Sequence, residues 1–108
     1  MGKMSRDKGK EGEREIARIL REHGYEDARR GVQYHGGGDS PDVVGLPGVH
    51  IEVKRAEKLS IYEALDQSIA DAAPGEIPVV FHRRNKKPWL AILRLEDYLT
   101  QIEKGKES

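Results

Sequence analysis

The sequence predicts an α/β domain in which a five-stranded sheet is flanked by helices. Three segments, near the start, the middle and the end of the chain, carry apolar residues at the spacing of an amphipathic helix. Between them lie five short segments, apolar or alternating in character and bounded mostly by glycine, proline and charged residues, as strands are. The predicted element order is therefore α-β-β-β-α-β-β-α.

The composition is typical of a single, highly charged globular domain. The 108 residues suffice for one core but not for two, and the absence of cysteine excludes disulfides and thiolate metal sites. No run of about 18 apolar residues occurs, and no apolar segment follows the N-terminus, so we expect neither a membrane span nor a secretory signal. We therefore predict a cytoplasmic protein with no membrane partner.

Charge is distributed unevenly, although 19 basic and 19 acidic residues cancel. The basic clusters are Lys3, Arg6, Lys8 and Lys10 near the start, and Arg83, Arg84, Lys86 and Lys87 later in the chain. The net charge alone does not indicate a nucleic-acid binder. Each cluster either meets phosphates or is a solvated terminus or turn.

The first helix is predicted over residues 10–23, where Ile16, Ile19 and Leu20 follow the helical spacing. Glu13 precedes this apolar stripe by one turn and lies at its border. Its carboxylate faces either the core side of the domain or solvent, where the helix dipole favours a negative charge. The helix pattern alone leaves both interpretations open.

The two ends of the chain lack the pattern of a packed element. Residues 1–8 show no apolar periodicity and are predicted to form a flexible basic arm. Residues 104–108 are predicted to fray. The folded domain is therefore predicted over residues 9–103.

A predicted hairpin over residues 41–54 organises the chain. Asp42 begins its first strand and Glu52 lies near the end of its second, so antiparallel pairing brings the two carboxylates together. Glu52 shares one strand face with His50 and Lys54, and the opposite face is apolar. Two carboxylates beside a lysine suit Mg²⁺ with a water or phosphate oxygen. A polar strand face that simply meets solvent fits the spacing equally well.

A strand and a glycine loop are predicted immediately before this hairpin. The strand covers residues 27–34, and Gly36, Gly37 and Gly38 follow it. Such a loop either reshapes around a substrate or is a plain linker. It has no lysine of the kind that a phosphate-binding loop carries, so we do not expect a nucleotide site there.

The second half of the chain supplies the remaining elements. Ser60 and Glu63 form a predicted capping box for a helix whose packing stripe is Ile61, Leu65, Ile69 and Ala72. Strands are predicted over residues 77–81 and 89–93, joined by a basic turn, and a last helix begins at Leu95. Within these strands, Phe81 and Trp89 are predicted to lie in the core or in a dimer interface rather than to stack on bases.

The four histidines do not indicate a zinc site. They are His23, His35, His50 and His82, and their spacings match no compact ligand motif. His50 shares the face of Glu52, so it touches DNA or the outer shell of a metal, or is a partly exposed strand residue.

The element order and the hairpin motif together resemble the PD-(D/E)xK nuclease superfamily, and more narrowly the archaeal-type Holliday junction resolvases, which are also found in viruses. The resemblance spans Lys8 to about Leu93. Its motifs are Lys8-Gly9 with Glu13-Arg14-Glu15-Ile16, then Arg30, Pro41-Asp42-Val43-Val44, Ile51-Glu52-Val53-Lys54, Gln67, Pro78 and Trp89. It implies a restriction-endonuclease-like fold with a mixed sheet, and the cytoplasm of a host cell if the source is viral.

The resemblance also implies roles for individual residues. Asp42, Glu52 and the Val53 carbonyl ligate Mg²⁺, for which Mn²⁺ substitutes; Glu13 completes the site through a water; and Lys54 positions or activates the attacking water. Residues implied in DNA binding are Lys8, Lys10, Arg14, Arg29, Arg30, Ser40 and Lys58. Gln67 supports the site from the second helix. The family places a serine in the loop before the aspartate, and Ser40 is the one serine at this place in the chain. Tyr34 and His35 are the other candidates for the role of that serine.

The function implied is that of a structure-selective endodeoxyribonuclease. Such an enzyme resolves four-way DNA junctions by two symmetric cuts, for which a homodimer is the natural arrangement. Two alternatives stay open. One is a nuclease with the same fold that cuts other branched, nicked or linear duplex DNA, and the other is an inactive nuclease fold that only binds DNA.

Overall fold

The computed structural model describes residues 2–31 and 41–107, with side chains for residues 8–31 and 41–105. Its elements are α1 (Gly2–Glu22), β1 (Arg29–Arg30), β2 (Val43–Val44), β3 (Val49–Arg55), α2 (Ile61–Asp71), β4 (Ile77–Arg83), β5 (Leu90–Ile92) and α3 (Leu95–Glu107). This order confirms the predicted one. In the described part of the chain, no helix has the length and apolar character needed to cross a membrane.

The five strands form one mixed sheet in the order β1-β2-β3-β4-β5. Neighbouring strands are antiparallel except for β3 and β4, which run parallel and are connected through α2. A parallel pair requires a crossover connection, and a helix is the usual one. The prediction of a five-stranded mixed sheet flanked by helices is thus confirmed.

Both faces of the sheet are covered, which overturns one of the two alternatives for β3, a polar face that simply meets solvent. The core on the α1 side consists of Ile16, Ala17, Val43, Ile51, Val53, Ile77 and Val79. A smaller core on the α2 side consists of Ala64, Leu65 and Val80. His50 and Glu52 point to this second side and are only 1% and 4% exposed, because α2 packs over them.

The inward side of α2 agrees with the predicted stripe at Leu65 and Ile69 and differs from it at Ile61. Its buried residues are Ala64, Leu65 and Ser68, whereas Ile61 is 48% exposed. The small Ala64 and Ser68 let the helix approach the sheet closely, and the Ser68 hydroxyl donates to the Val79 carbonyl at 3.0 Å. Ser60 is the N-cap residue but makes no side-chain capping hydrogen bond, so the capping box is not formed.

Helical backbone extends further at both ends than the sequence indicates. α1 begins at Gly2 rather than near residue 10, and α3 continues to Glu107. The predicted division into arm, domain and tail stays a prediction. Gly12 lets α1 lie against β3, since a Cβ at this position would be 3.1 Å from the Arg55 Cβ.

The segment before the hairpin is short in its regular part. β1 covers two residues of the predicted strand 27–34, and the glycine loop, Tyr34, His35 and Ser40 lie outside the described residues. Gly45 follows β2 and has a φ of +104°. A Cβ added at this position would lie 2.5 Å from the Cα of Ala28. Only glycine fits there.

Candidate active site

Asp42 is held at the start of β2 by backbone and side-chain hydrogen bonds. Its amide donates to the Ile51 carbonyl at 2.9 Å, and its carbonyl accepts from Gly31 at 2.9 Å. The Oδ2 atom of its carboxylate accepts from the Val53 amide at 2.8 Å. The backbone of Asp42 is thus paired with Ile51 of β3, and its carboxylate is held two residues further along β3, at Val53.

The backbone of Val53 adds an oxygen to this position. The amide and the carbonyl of one strand residue point to the same side of the strand, as paired residues in an antiparallel ladder show. Because the Val53 amide points at Asp42, the Val53 carbonyl points to that side too. A carboxylate and a backbone carbonyl therefore lie on the same side of β3.

Glu52 reaches the same region from the face of the sheet that α2 covers. Glu52 is 4% exposed and lies in register with Val80 of β4. The Nε2 of His50 donates to its Oε1 at 2.9 Å, which leaves the second carboxylate oxygen for other partners. Glu52 is thus a buried carboxylate with a fixed orientation.

The Asp42 carboxyl responds to burial and to Glu52. The pKa of Asp42 is raised from 3.8 to about 6, chiefly by burial and further by the charge of Glu52 and a hydrogen bond between the two side chains. The Val53 amide and the Lys54 charge lower this pKa. Two neighbouring carboxylates that are partly shielded from water favour a shared proton or a bound cation. Their oxygens, with the Val53 carbonyl, form the hard donor set that Mg²⁺ prefers.

Lys54 lies on the same strand face as Glu52 and is half-buried, in register with His82. Its positive charge acts on Asp42. The structure therefore brings together Asp42, Glu52 and Lys54, as the antiparallel hairpin leads one to expect. A phosphodiester approaching this group would meet two acids and one ammonium.

Glu13 belongs to α1, which packs on the opposite face of the sheet. Its Oε1 accepts from the Nε of Arg30 at 2.8 Å, in an ion pair that is about three-quarters buried on average. Among the described residues, no hydrogen bond joins Glu13 to Asp42 or Glu52. Its predicted place near the metal stays a prediction, and the ion pair instead links α1 to β1.

The residues predicted to bind DNA are mostly exposed. Lys10, Arg14, Arg29 and Lys58 are exposed, Lys8 and Arg30 are half-buried, and Ser40 lies outside the described residues. Arg29 donates to the Asp27 carbonyl at 3.0 Å. Gln67 is exposed on α2, and the adjacent Ser68 is the residue that faces the sheet. Within the described part of the chain, no hydrogen bond joins Gln67 to Asp42 or Glu52, so its role in supporting the site stays a prediction.

A second polar cluster, not predicted from the sequence, joins α1 to the end of β4. The Glu15 carboxylate accepts from Arg83 at 2.7 Å and from the Trp89 indole at 2.6 Å, both on Oε1. Trp89 packs against the core on the α1 side. Arg83 is thus engaged inside the protein rather than free for phosphate, and the place of Trp89 in the core is confirmed.

Sequence reasoning also missed the depth of His50 and the approach of Asp71. His50 is buried rather than partly exposed, and Asp71 at the end of α2 comes close to both His50 and Glu52. The alternation of β3 signals that His50 and Glu52 share a face. No local signal links them to Asp71, because that contact depends on how α2 lies on the sheet.

Comparison with known protein families finds a match. The family model described as archaeal Holliday junction resolvase (hjc) matches residues 4–92, which include the chain from α1 to β5 and exclude α3. No curated protein and no solved structure matches the chain.

Proposed function

The chain belongs to the archaeal Holliday junction resolvase family, and from this premise we propose that it cuts four-way DNA junctions with Mg²⁺ at Asp42 and Glu52. Membership of this family implies a nuclease. The observation that carries the finer proposal is the pair of carboxylates, Asp42 and Glu52, with Lys54 on the same side of the sheet. This is the donor set and the charge that phosphodiester hydrolysis requires.

The proposed metal ligands are Asp42, the free oxygen of Glu52 and the Val53 carbonyl, with Glu13 contributing through a water. The raised pKa of Asp42 supports a cation here, because the cation would replace the proton that two neighbouring carboxylates favour. Bound Mg²⁺ supplies charge for the phosphate oxygens and lowers the pKa of a coordinated water, and Mn²⁺ substitutes for it.

The chain's own groups have separate tasks in this proposal. Lys54 holds the attacking water and its ammonium favours the negative charge that develops on the phosphate. Asp42 is oriented by the Val53 amide, and Glu52 is oriented by His50, so neither carboxylate has to be ordered when the substrate binds. Gln67 supports the site from α2 once DNA is bound.

Exposed basic residues support binding to the DNA backbone. Lys10 and Arg14 on α1, Arg29 on β1 and Lys58 are exposed, and α1 lies next to β1. The half-buried Lys8 and Arg30, together with Ser40, complete the set of residues proposed to contact DNA. Contacts to phosphate hold DNA without reading its sequence. We therefore propose that the enzyme selects its substrate by branched shape and that binding weakens as salt rises.

A homodimer fits this activity. A four-way junction requires two cuts related by a twofold axis, and a symmetric dimer provides two such sites. Supporting a second copy, α3 exposes apolar residues at the helical spacing i, i+3, i+4, i+7. They are Leu95, Tyr98, Leu99 and Ile102, and each is 39% to 71% exposed.

The test compares a synthetic immobile four-way junction with a linear duplex of the same arms, in Mg²⁺ and in EDTA. We expect symmetric paired nicks in the junction for the wild type with Mg²⁺, and no cleavage by Asp42→Asn. Asp66→Asn is the matched control, since Asp66 is exposed on α2 and its change removes the same charge. The control variant should cut as the wild type does.

Two other outcomes would change the conclusion. Equal cleavage of the linear duplex would keep the nuclease chemistry and overturn the preference for junctions. Binding without any cleavage, in every divalent cation tried, would favour a nuclease fold that only binds DNA.

A further inference from the structure

A cluster of three buried or half-buried side chains, one of which is Glu52 of the proposed active site, lies between β3 and α2. We propose that His50, Glu52 and Asp71 bind a second divalent cation, of the class that accepts both imidazole and carboxylate ligands, such as Mn²⁺. One ligand atom from each residue lies within 4.8 Å of the other two. The inference rests on the proposed function in one respect, which is that Glu52 would serve both cations.

The distance between two of the donors suits a cation. The Nε2 of His50 and the Oε1 of Glu52 are 2.9 Å apart. Adjacent ligands of an octahedral ion at about 2.1 Å are separated by roughly 3 Å, so the proton between these atoms occupies a place that a metal can take. Exchange of that proton for a metal needs little movement of either side chain, since the two donor atoms already have this spacing.

Asp71 supplies a second, independent reason. Its Oδ2 is shielded from solvent and, within the described part of the chain, has no hydrogen-bond partner. A shielded carboxylate oxygen without a partner is costly, and native proteins rarely keep one without an ion or a water. Because this oxygen belongs to a residue that approaches His50 and Glu52, a cation held by the three would satisfy it.

The charges around the cluster also favour a cation. The Nδ1 of His50 lies 3.9 Å from the Oε1 of Glu76, so Glu52, Asp71 and Glu76 surround one imidazole. Asp71 is the last residue of α2, where the helix dipole adds further negative potential. Neither the sheet nor α2 brings a lysine or arginine into ion-pair contact with His50, Glu52 or Asp71 among the residues described.

The second cation would fix Glu52 from behind. Its Oε1 would be held by the cation that His50 and Asp71 share, and its other oxygen would remain for the Asp42 site. Imidazole is a poor ligand for Mg²⁺ and an ordinary one for transition metals, so the two positions differ in the ions they select.

The number of bound Mn²⁺ ions tests this proposal without relying on activity. Metal-free protein is titrated with MnCl₂, and free Mn²⁺ is measured by electron paramagnetic resonance. We expect two Mn²⁺ per chain for the wild type and for Asp66→Asn, and one for Asp71→Asn. Asp71→Asn keeps the size of the side chain, and circular dichroism confirms that each variant is folded.

The outcomes separate this proposal from the proposed function. Asp42→Asn should retain the Asp71-dependent ion and lose the other. Equal Mn²⁺ numbers for wild type and Asp71→Asn would overturn the second site while leaving the nuclease proposal intact. Loss of all Mn²⁺ in Asp71→Asn would mean a single shared ion, which also overturns it. Mn²⁺ binding by none of the proteins would contradict both proposals.

Discussion

The two faces of β3 are buried to the same degree but have opposite chemistry. On the α1 side, Ile51 is fully buried in a core of branched aliphatic residues. On the α2 side, His50 and Glu52 are just as inaccessible, and the apolar cluster beside them is small. One face of the strand therefore supplies apolar packing and the other carries residues of the proposed active site, because strand side chains alternate.

The comparison predicts that changes on the two faces have separable effects. Lys54→Ala on the polar face should lower junction cleavage by about 10² to 10⁴-fold, since it removes the group proposed to hold the attacking water. Ile51→Ala on the apolar face should lower the free energy of unfolding by about 2 to 5 kcal/mol, because it leaves a cavity in the core. Single-turnover cleavage and urea unfolding measure the two effects.

This contrast would be contradicted if the change on the apolar face impaired cleavage or the change on the polar face lowered stability. Cleavage by folded Ile51→Ala, at a temperature well below its unfolding midpoint, should stay close to the wild-type rate. A Lys54→Ala protein that lost several kcal/mol of stability would show that the polar face of β3 also stabilises the fold.

A smaller effect concerns the stability cost of burying the carboxylate of Asp42, a proposed metal ligand. Because burial raises the pKa of Asp42 to about 6 from 3.8, the folded protein binds a proton more tightly than the unfolded chain. This contribution to stability is complete below about pH 4 and is lost as pH rises through 6. In EDTA at pH 8, Asp42→Asn should therefore be more stable than the wild type, by roughly 1 to 3 kcal/mol.

Thermal unfolding in EDTA between pH 4 and pH 8 checks this prediction. The difference between the two proteins should shrink toward pH 4, where Asp42 is protonated in the folded state. A variant that is less stable than the wild type at pH 8 would contradict a raised pKa. Mg²⁺ should then stabilise the wild type more than Asp42→Asn.

The smallest effect is expected on the exposed side of α1. Arg14→Ala should reduce by about 1 the slope of log binding constant against log salt concentration, as the loss of one phosphate contact does. Fluorescence anisotropy with a labelled junction in EDTA measures this slope. Arg18→Ala is the matched control, since Arg18 is exposed on the same helix and pairs with Glu22 at 3.8 Å. Equal slopes for both variants would remove Arg14 from the DNA-binding surface.

Several features of this protein follow from local sequence. The alternation in β3 predicts that His50, Glu52 and Lys54 share a face, and the turn glycines predict the antiparallel hairpin that brings Asp42 near Glu52. The element order and the mixed sheet are likewise confirmed. Periodicity and turn chemistry are properties of neighbouring residues, so the sequence contains them in full.

The features that the sequence did not predict correctly are contacts between different helices and strands. The predicted packing stripe of α2 was correct for Leu65 and Ile69 but wrong for Ile61. It also missed Ala64 and Ser68, whose small side chains allow the close approach to the sheet. The Glu13–Arg30 pair and the Glu15 contacts with Arg83 and Trp89 join residues far apart in the chain. No spacing rule predicts such contacts.

The sequence by itself thus determined which residues share a strand face, the order of the elements, and the acidic pair with its lysine. Only the tertiary structure decided that the polar face of β3 is buried, that Asp71 joins His50 and Glu52, and that Glu13 pairs with Arg30. The physical reason is that burial is set by what packs on a face. For β3 that is α2, whose rotation and depth depend on the whole sheet rather than on the strand.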